Sequence, residues 1–241
     1  MTDPLALMDM SPGPGPRLRL RPGAAGDGAA MLAIKERLKM RPDPGAAPSA
    51  PASSRGGFLL GSTRAQYEAL IEGAQVDVLV DGGEVVGFVT ALPDAALRRS
   101  DVWARREQIA LGGDLGPSGL AAIEGLALGY VDQLALLPDL KYRLCAPALA
   151  WRALTRLFDQ GAALVFTTVV AAPVRNLVTR PLLAAVGAIR LGAIEEHYPG
   201  AGAITSDVFC ITRAALGPSA GDERRRARLA ALERWTARLL G

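Results

Sequence analysis

Apolar and polar residues alternate along Arg17–Arg21, RLRLR, the period-two pattern of a half-buried strand. The period then changes. Met31, Ile34 and Leu38 recur at helical spacing after Asp27, a residue suited to cap a helix, and predict a helix running to about Met40 with Pro42 beyond it. Thr63 and Gln66 form a capping-box pair ahead of Tyr67, Leu70 and Ile71, predicting a second helix that stops at Gly73. Two apolar runs, 76–80 and 84–91, flank Asp81-Gly82-Gly83, a strong hairpin signal. A buried strand ending at Leu134–Leu137 follows, then a turn at Pro138-Asp139. Pro147 suits the start of a helix in which Leu149, Ala153, Leu154 and Leu157 repeat, and Gly161 closes it. Ala163–Val170 reads as a strand, 176–186 as a helix stopping at Gly187, and 189–197 and 203–212 as two more strands. Leu229, Leu232, Trp235 and Leu239 draw one apolar stripe along a last helix over 222–240.

Between these elements, residues 1–16 are Pro/Gly-rich and read as a disordered tail, and 41–57 as a low-complexity loop. Residues 93–122 read as an insertion over one sheet edge, with a short helix starting at Ser100-Asp101. The order β-α-α-β-β-β-α-β-α-β-β predicts a mixed sheet, with antiparallel hairpins beside parallel crossovers.

Composition narrows the function classes. The chain has 241 residues, half of them apolar, enough for one domain with a real core. A formal charge of +3 is too mild to indicate nucleic acid; only Arg-rich stretches such as Arg224, Arg225, Arg226 and Arg228 keep that class as an alternative. Two distant cysteines and one histidine exclude a Cys/His zinc site. No apolar run reaches membrane-span length, and an acidic residue stands where a signal peptide carries positive charge, so a cytoplasmic protein with reduced thiols is expected.

The strand–basic loop–helix unit at 130–160 is the chemical focus. Lys141 and Arg143 lie ahead of a helix N-terminus, a setting that suits an anion, although an ordinary strand-to-helix connection has the same local pattern.

Four pieces in order, RLRLRPGAAGD, DVLVDGGEVVGFVTALP, YVDQLALLPDLKYRLCAPAL and VVAAPVRNLVTRPLLAAVGAIRLG, resemble the GNAT superfamily of acetyl-coenzyme-A-dependent N-acetyltransferases. The resemblance covers about residues 17–213. It implies an α/β (α+β) fold: a mixed, mostly antiparallel sheet of six or seven strands with helices on both faces. The domain is expected over 17–216, with 221–241 an added C-terminal amphipathic helix whose stripe packs on the protein's own body or on a second subunit as a homodimer.

The resemblance also implies acetyl-CoA as cofactor and a primary amine, of a small molecule or of a protein, as acceptor. The backbone of Leu134, Ala135 and Leu136 would pair with the pantetheine amides. Lys141, Tyr142, Arg143, Leu144, Cys145, Ala146 and Pro147 would surround the pyrophosphate, and Asn176 would contact the cofactor or cap the following helix. Departures accompany the match. Leu144 replaces the family's first Gly, Pro147 removes an N–H, and Leu183 stands where many relatives carry a Tyr acid. Ala171 stands where some relatives carry a Glu.

Asp132, just ahead of the cofactor segment, is the candidate base; a salt bridge or strand-end hydrogen bond is its structural alternative. Glu195, Glu196, His197 and Tyr198 cluster near the substrate side, or form an ordinary surface. Cys145 is expected to pack inward as an inert thiol. The alternative to an enzyme is a cofactor-binding regulatory module that kept the fold and lost catalysis.

Overall fold

The computed structural model describes residues 17–38, 62–111, 123–172, 175–198, 202–217 and 223–241. The expected tail 1–16 and loop 41–57 lie outside them. An eight-stranded sheet organises these residues, in the order β1-β2-β3-β5-β6-β8-β7-β4. Its strands are β1 (Leu18–Pro22), β2 (Val76–Asp81), β3 (Glu84–Pro93), β4 (Ile109–Leu111), β5 (Leu128–Leu136), β6 (Leu164–Ala172), β7 (Ile189–Tyr198) and β8 (Gly202–Thr212). Among these pairings only β5 with β6 is parallel.

Local chemistry accounts for most boundaries. Gly82 and Gly83 take φ of 60° and 99° in the β2–β3 turn, the left-handed pair that a two-residue hairpin requires. The Thr63–Gln66 capping box is formed at the start of α2 (Arg64–Glu72). Helix α1 (Asp27–Leu38) buries Met31 and Ile34 against α2 and the sheet.

Two features depart from expectation. The sheet has eight strands instead of six or seven, because β4 pairs with β7 at the far edge from β1. Three residues, Ile109–Leu111, are too short to show a period, and only the ladder with Ile194, Ala193 and Gly192 makes them a strand. The basic stretch after β5 is not an open loop but a helical turn, α5 (Leu140–Arg143), capped by the Asp139 side chain on the Lys141 N–H. Within 94–111 lie two further short helices, α3 (Asp94–Leu97) and α4 (Asp101–Ala104), the latter capped by Ser100.

Each sheet face has its own cover. Helix α6 (Ala146–Asp159) crosses one face; with β5, β6 and β8 it buries Leu149, Leu154, Leu157, Val165, Val169 and Ile211. After a one-turn helix, α8 (Arg213–Leu216), the C-terminal helix α9 (Glu223–Leu240) lies against α6 and β1, and its Leu229, Leu232, Trp235 and Leu239 join the same core. The stripe that raised the question of a second subunit is thus covered within the chain. The opposite face carries two smaller cores. Phe88, Tyr67, Met31 and Ile34 form one under α1 and α2, and Leu92, Leu97, Leu128 and Tyr130 form the other under α3.

Candidate functional site

The parallel pair β5–β6 holds together only over its first half. Its ladder runs from Leu128↔Leu164 to Val131↔Thr167 and stops there. Beyond that point β5 stays with β3, and β6 stays with β8, so the two central strands part. Among the described residues, the β6-facing edge of residues 132–136 has no strand partner. A cleft outside the carboxyl ends of parallel strands is the usual place for a ligand in such sheets.

A β-bulge marks the point of parting. In the β3–β5 ladder Thr90 faces Gln133 and Ala91 faces Val131, so Asp132 is the extra residue. A bulge turns consecutive side chains toward one face. Here it sets Asp132 and Gln133 beside Thr90, in the gap between the two small cores: Phe88 of one and Leu92 of the other flank Thr90 on the same face of β3.

A polar network fills that gap. The Gln133 N–H donates to Thr90 Oγ1 at 3.0 Å, and Thr90 Oγ1 donates to Asp132 Oδ2 at 3.3 Å. The Tyr67 hydroxyl, on a fully buried ring, donates to Gln133 Oε1 at 2.8 Å. Gln133 Nε2 and Lys35 Nζ both donate to Ser62 Oγ, at 3.2 and 2.9 Å. Lys35 is only 2% exposed. Next along β5, the hydroxyls of Tyr130 and Thr168 meet at 2.8 Å across the last paired rungs.

The electrostatics follow from burial. Desolvation raises the Asp132 pKa above its ordinary value, although the Thr90 hydrogen bond, the Lys35 charge and Gln133 pull it down. Burial likewise raises the Tyr67 phenol; Ser62 opposes the shift, and the negative charges of Asp132 and Glu36 add to it. A carboxylate whose pKa is moved toward neutrality is suited to take a proton.

The residues expected around a pyrophosphate are arranged unevenly. The N–H groups of Tyr142 and Arg143 donate to the Asp139 carbonyl, Leu144 to Leu140 and Cys145 to Tyr142, so all four amides close the α5 turn. Lys141 Nζ and the Tyr142 hydroxyl both bind Asp81 Oδ2, at 2.9 and 3.0 Å, which ties α5 to the β2–β3 hairpin. Arg143 is exposed and forms no ion pair with another described residue. Leu144 is half-buried, and Pro147 is buried at the second position of α6. Ala146 and Ala148, in the first turn of α6, have N–H groups with no intrahelical acceptor, as at any helix start.

Cys145 is buried, and burial pushes its thiol up to about 11, the state of a packing residue rather than a nucleophile. Leu134 and Leu136 pack toward α6, and Ala135 faces the α1–α2 core. Asn176 Oδ1 accepts from the Val178 and Thr179 N–H groups, two residues ahead of the N-cap position of α7 (Thr179–Ala185), which is Val178 itself. Leu183 lies inside the main core, so the position where many relatives carry a Tyr presents only hydrocarbon to its neighbours.

The other candidate cluster is dispersed. Glu196 pairs with Arg105 at 2.7 Å, while Glu195 and His197 are exposed on β7.

Asp132 thus lies in a network with residues that the linear chain did not single out: Lys35, Ser62, Tyr67, Thr90 and Gln133. One signal was present for Lys35. Met31, Ile34, Lys35 and Leu38 occupy one helical face, so a cation stands on an apolar stripe.

No protein-family model matches the chain, and no curated protein matches it by sequence. Solved structures do resemble it. Naa50 of Arabidopsis thaliana, in complex with the bisubstrate analogue CoA-Ac-MVNAL, aligns at TM-score 0.53 and 10% identity over 81% of this chain and 99% of that one. The ribosomal-protein-S18-alanine N-acetyltransferase of Escherichia coli aligns at 0.51 and 12% identity, over 81% and 93%. The polyamine N-acetyltransferase of Drosophila melanogaster aligns at 0.51 and 15%, over 81% and 99%. The bulged central strand, the parting of β5 from β6 and these likenesses agree on one architecture: the chain has the fold of the GNAT superfamily of N-acetyltransferases.

Proposed function

We propose that this chain is an N-acetyltransferase that moves an acetyl group from acetyl-CoA to a primary amine of a small molecule or a protein. The observation that carries the reading is Asp132, set by a bulge where β5 and β6 part, with a pKa raised by burial. The fold's named relatives support it: their names describe acetylation of protein and polyamine amines, and Naa50 holds a CoA conjugate.

The residues present fit the donor in part. The unpartnered edge of Leu134, Ala135 and Leu136 suits an extended chain of amides. For a pyrophosphate the structure offers the Arg143 guanidinium and the Ala146 and Ala148 amides, because those of 142–145 are already bonded. Acetyl-CoA would supply the acyl group as a thioester, whose C–S bond breaks as the new C–N bond forms. An alkylammonium, with a pKa near 10, has no free lone pair, so Asp132 has the task of taking the amine's proton, directly or through a water. With Leu183 in the core, the departing sulfur draws its proton from solvent. A thiol pKa of about 8.5 makes that acceptable near neutral pH.

In this reading one acetyltransferase domain spans 17–216, and α9 packs against its main core. The free, buried cysteines Cys145 and Cys210 accord with a reducing cytoplasm.

Acetyl-CoA at 100 times its dissociation constant should stabilise the fold by about 2.7 kcal/mol in a thermal-shift measurement. Arg143→Glu should weaken that binding by placing like charge beside the phosphates. Thiol release with peptide N-termini and polyamines as acceptors then tests catalysis. Asp132→Asn should lower turnover roughly 10²- to 10⁴-fold at unchanged acetyl-CoA affinity. Absence of any thermal shift at millimolar acetyl-CoA refutes the whole reading. Binding without turnover favours the regulatory module, which Leu144 and the core position of Leu183 already allow.

A further inference from the structure

Thr90 is the one polar side chain in the run Val85–Leu92, VVGFVTAL, and it is 0% exposed. A valine of nearly the same shape would suit that apolar strand without the cost of burying a hydroxyl. Hydrogen bonds offset the cost, and both go to the bulge of β5. The Gln133 N–H donates to Thr90 Oγ1 at 3.0 Å, and Thr90 Oγ1 donates to Asp132 Oδ2 at 3.3 Å.

The arrangement is directional. A hydroxyl carries a single proton. With its oxygen accepting from the main chain of Gln133, that proton is aimed at Asp132, and it meets its best acceptor when the carboxyl is ionised. The N–H that fixes the hydroxyl also polarises it. Asp132 is half-buried whereas Thr90 has no exposed surface, so the hydroxyl holds the carboxylate from the protein side and leaves its accessible side to a ligand. The β3–β5 register shifts between Thr90 and Ala91, so this one residue meets both the backbone and the side chain of the bulge.

We propose that Thr90 is a positioning residue: its hydroxyl, held by the Gln133 N–H, fixes the Asp132 carboxylate where β5 and β6 part, in the form and orientation that accept the proton of the acceptor amine. The proposal rests on the reading of Asp132 as base given above. Thr90 itself reaches neither donor nor acceptor; it acts through Asp132.

The ionisable groups around this network belong to other residues and stay in place when Thr90 is replaced. Strand β3 has none between Glu84 and Asp94. From α1 come Lys35 and Glu36, from α2 Tyr67, and β5 adds Tyr130. From α3, Asp94 pairs with Arg98 near Leu128, at the opposite end of β5. The Thr90 hydrogen bond favours the ionised form of Asp132. Its loss moves the Asp132 pKa further up, so the base form disappears at a higher pH than in the parent.

The test is the pH profile of kcat/KM for acetyl transfer from acetyl-CoA by the full chain, with spermidine and a peptide of free N-terminus as acceptors, for Thr90→Val, Thr90→Ser and Asp132→Asn. Thr90→Val keeps the shape and removes the hydroxyl; it should shift the acid limb upward by about one pH unit, lowering activity about tenfold below the limb at unchanged acetyl-CoA affinity. Thr90→Ser keeps the hydroxyl and loses a methyl, and should restore the parent limb. A merely structural Thr90 would lower the melting temperature in both variants and move the limb in neither. An unmoved limb in Thr90→Val of parent-like circular dichroism overturns the proposal, as does an equal shift in Thr90→Ser. Should Thr90→Val not fold, Thr90→Cys, of similar size but a weak donor, supplies the second test: a limb shifted upward supports the proposal and an unmoved one overturns it. Parent turnover in Asp132→Asn, or no turnover by the parent, refutes the reading of Asp132 and this proposal with it, whereas an unmoved limb at position 90 leaves that reading standing, so the two failures are distinct.

Discussion

Two leucines of α9 make a controlled test of what the C-terminal helix does. Leu232 is 1% exposed in the core shared with α6 and β1, whereas Leu240, two turns later on the same helix, is 42% exposed. The chemistry of Leu→Ala is identical at both sites, so only burial differs. At Leu232 the change removes buried methyl and methylene groups and leaves a cavity, which costs about 2–5 kcal/mol. In a domain of this size each kcal/mol shifts the melting temperature by about 2–4 °C, so Leu232→Ala should melt about 4–20 °C lower. At Leu240 the cost should stay near the roughly 0.5 kcal/mol of ordinary surface changes. Thermal melts followed by circular dichroism, with urea midpoints as a check that the m value is unchanged, decide the matter. Melting temperatures within about 2 °C of each other for the two variants would refute the argument that α9 is part of the core. A large loss at Leu232 would show that the helix, although it lies beyond the last strand of the fold, is needed for its stability.

Asp132 should reveal its burial in stability as well as in rate. Its pKa is raised on folding, so the native state holds the proton more tightly than the unfolded chain, and stability is gained as pH falls through the folded pKa toward the ordinary value of 3.8. Asp132→Asn, which removes the charge and its desolvation cost, should therefore melt above the parent at pH 8, with the gap closing toward pH 4; a gap independent of pH would contradict the assignment. Cys145 and Cys210 are both buried, and burial pushes each thiol up to about 11. Native protein should consume no aromatic disulfide reagent at pH 8 and two equivalents in denaturant; rapid labelling of the native state would show that one of them is accessible.

Elements whose cause lies within a few residues were legible in the chain. The Asp81-Gly82-Gly83 turn, the Thr63–Gln66 capping box and the apolar stripe of α9 each follow from side-chain size, φ preference or helical spacing, and each is present. The fold class was legible too, because those local signals occur in a recognisable order. What the sheet decides was not. Strand β4 exists only because β7 offers an edge, and α5 forms because the amides of 142–145 find carbonyls three or four residues behind them. Asp132 could be marked as a candidate from its place ahead of Leu134, but not the bulge that aims it, since a bulge is a property of two strands in register. Its neighbours come from positions 35, 62, 67 and 90, separated by tens of residues and brought together by the packing of α1 and α2 over β3 and β5. Hydrophobic period is written in the chain because it acts between neighbours; the company a buried charge keeps depends on contacts between distant segments, and only the tertiary structure sets those.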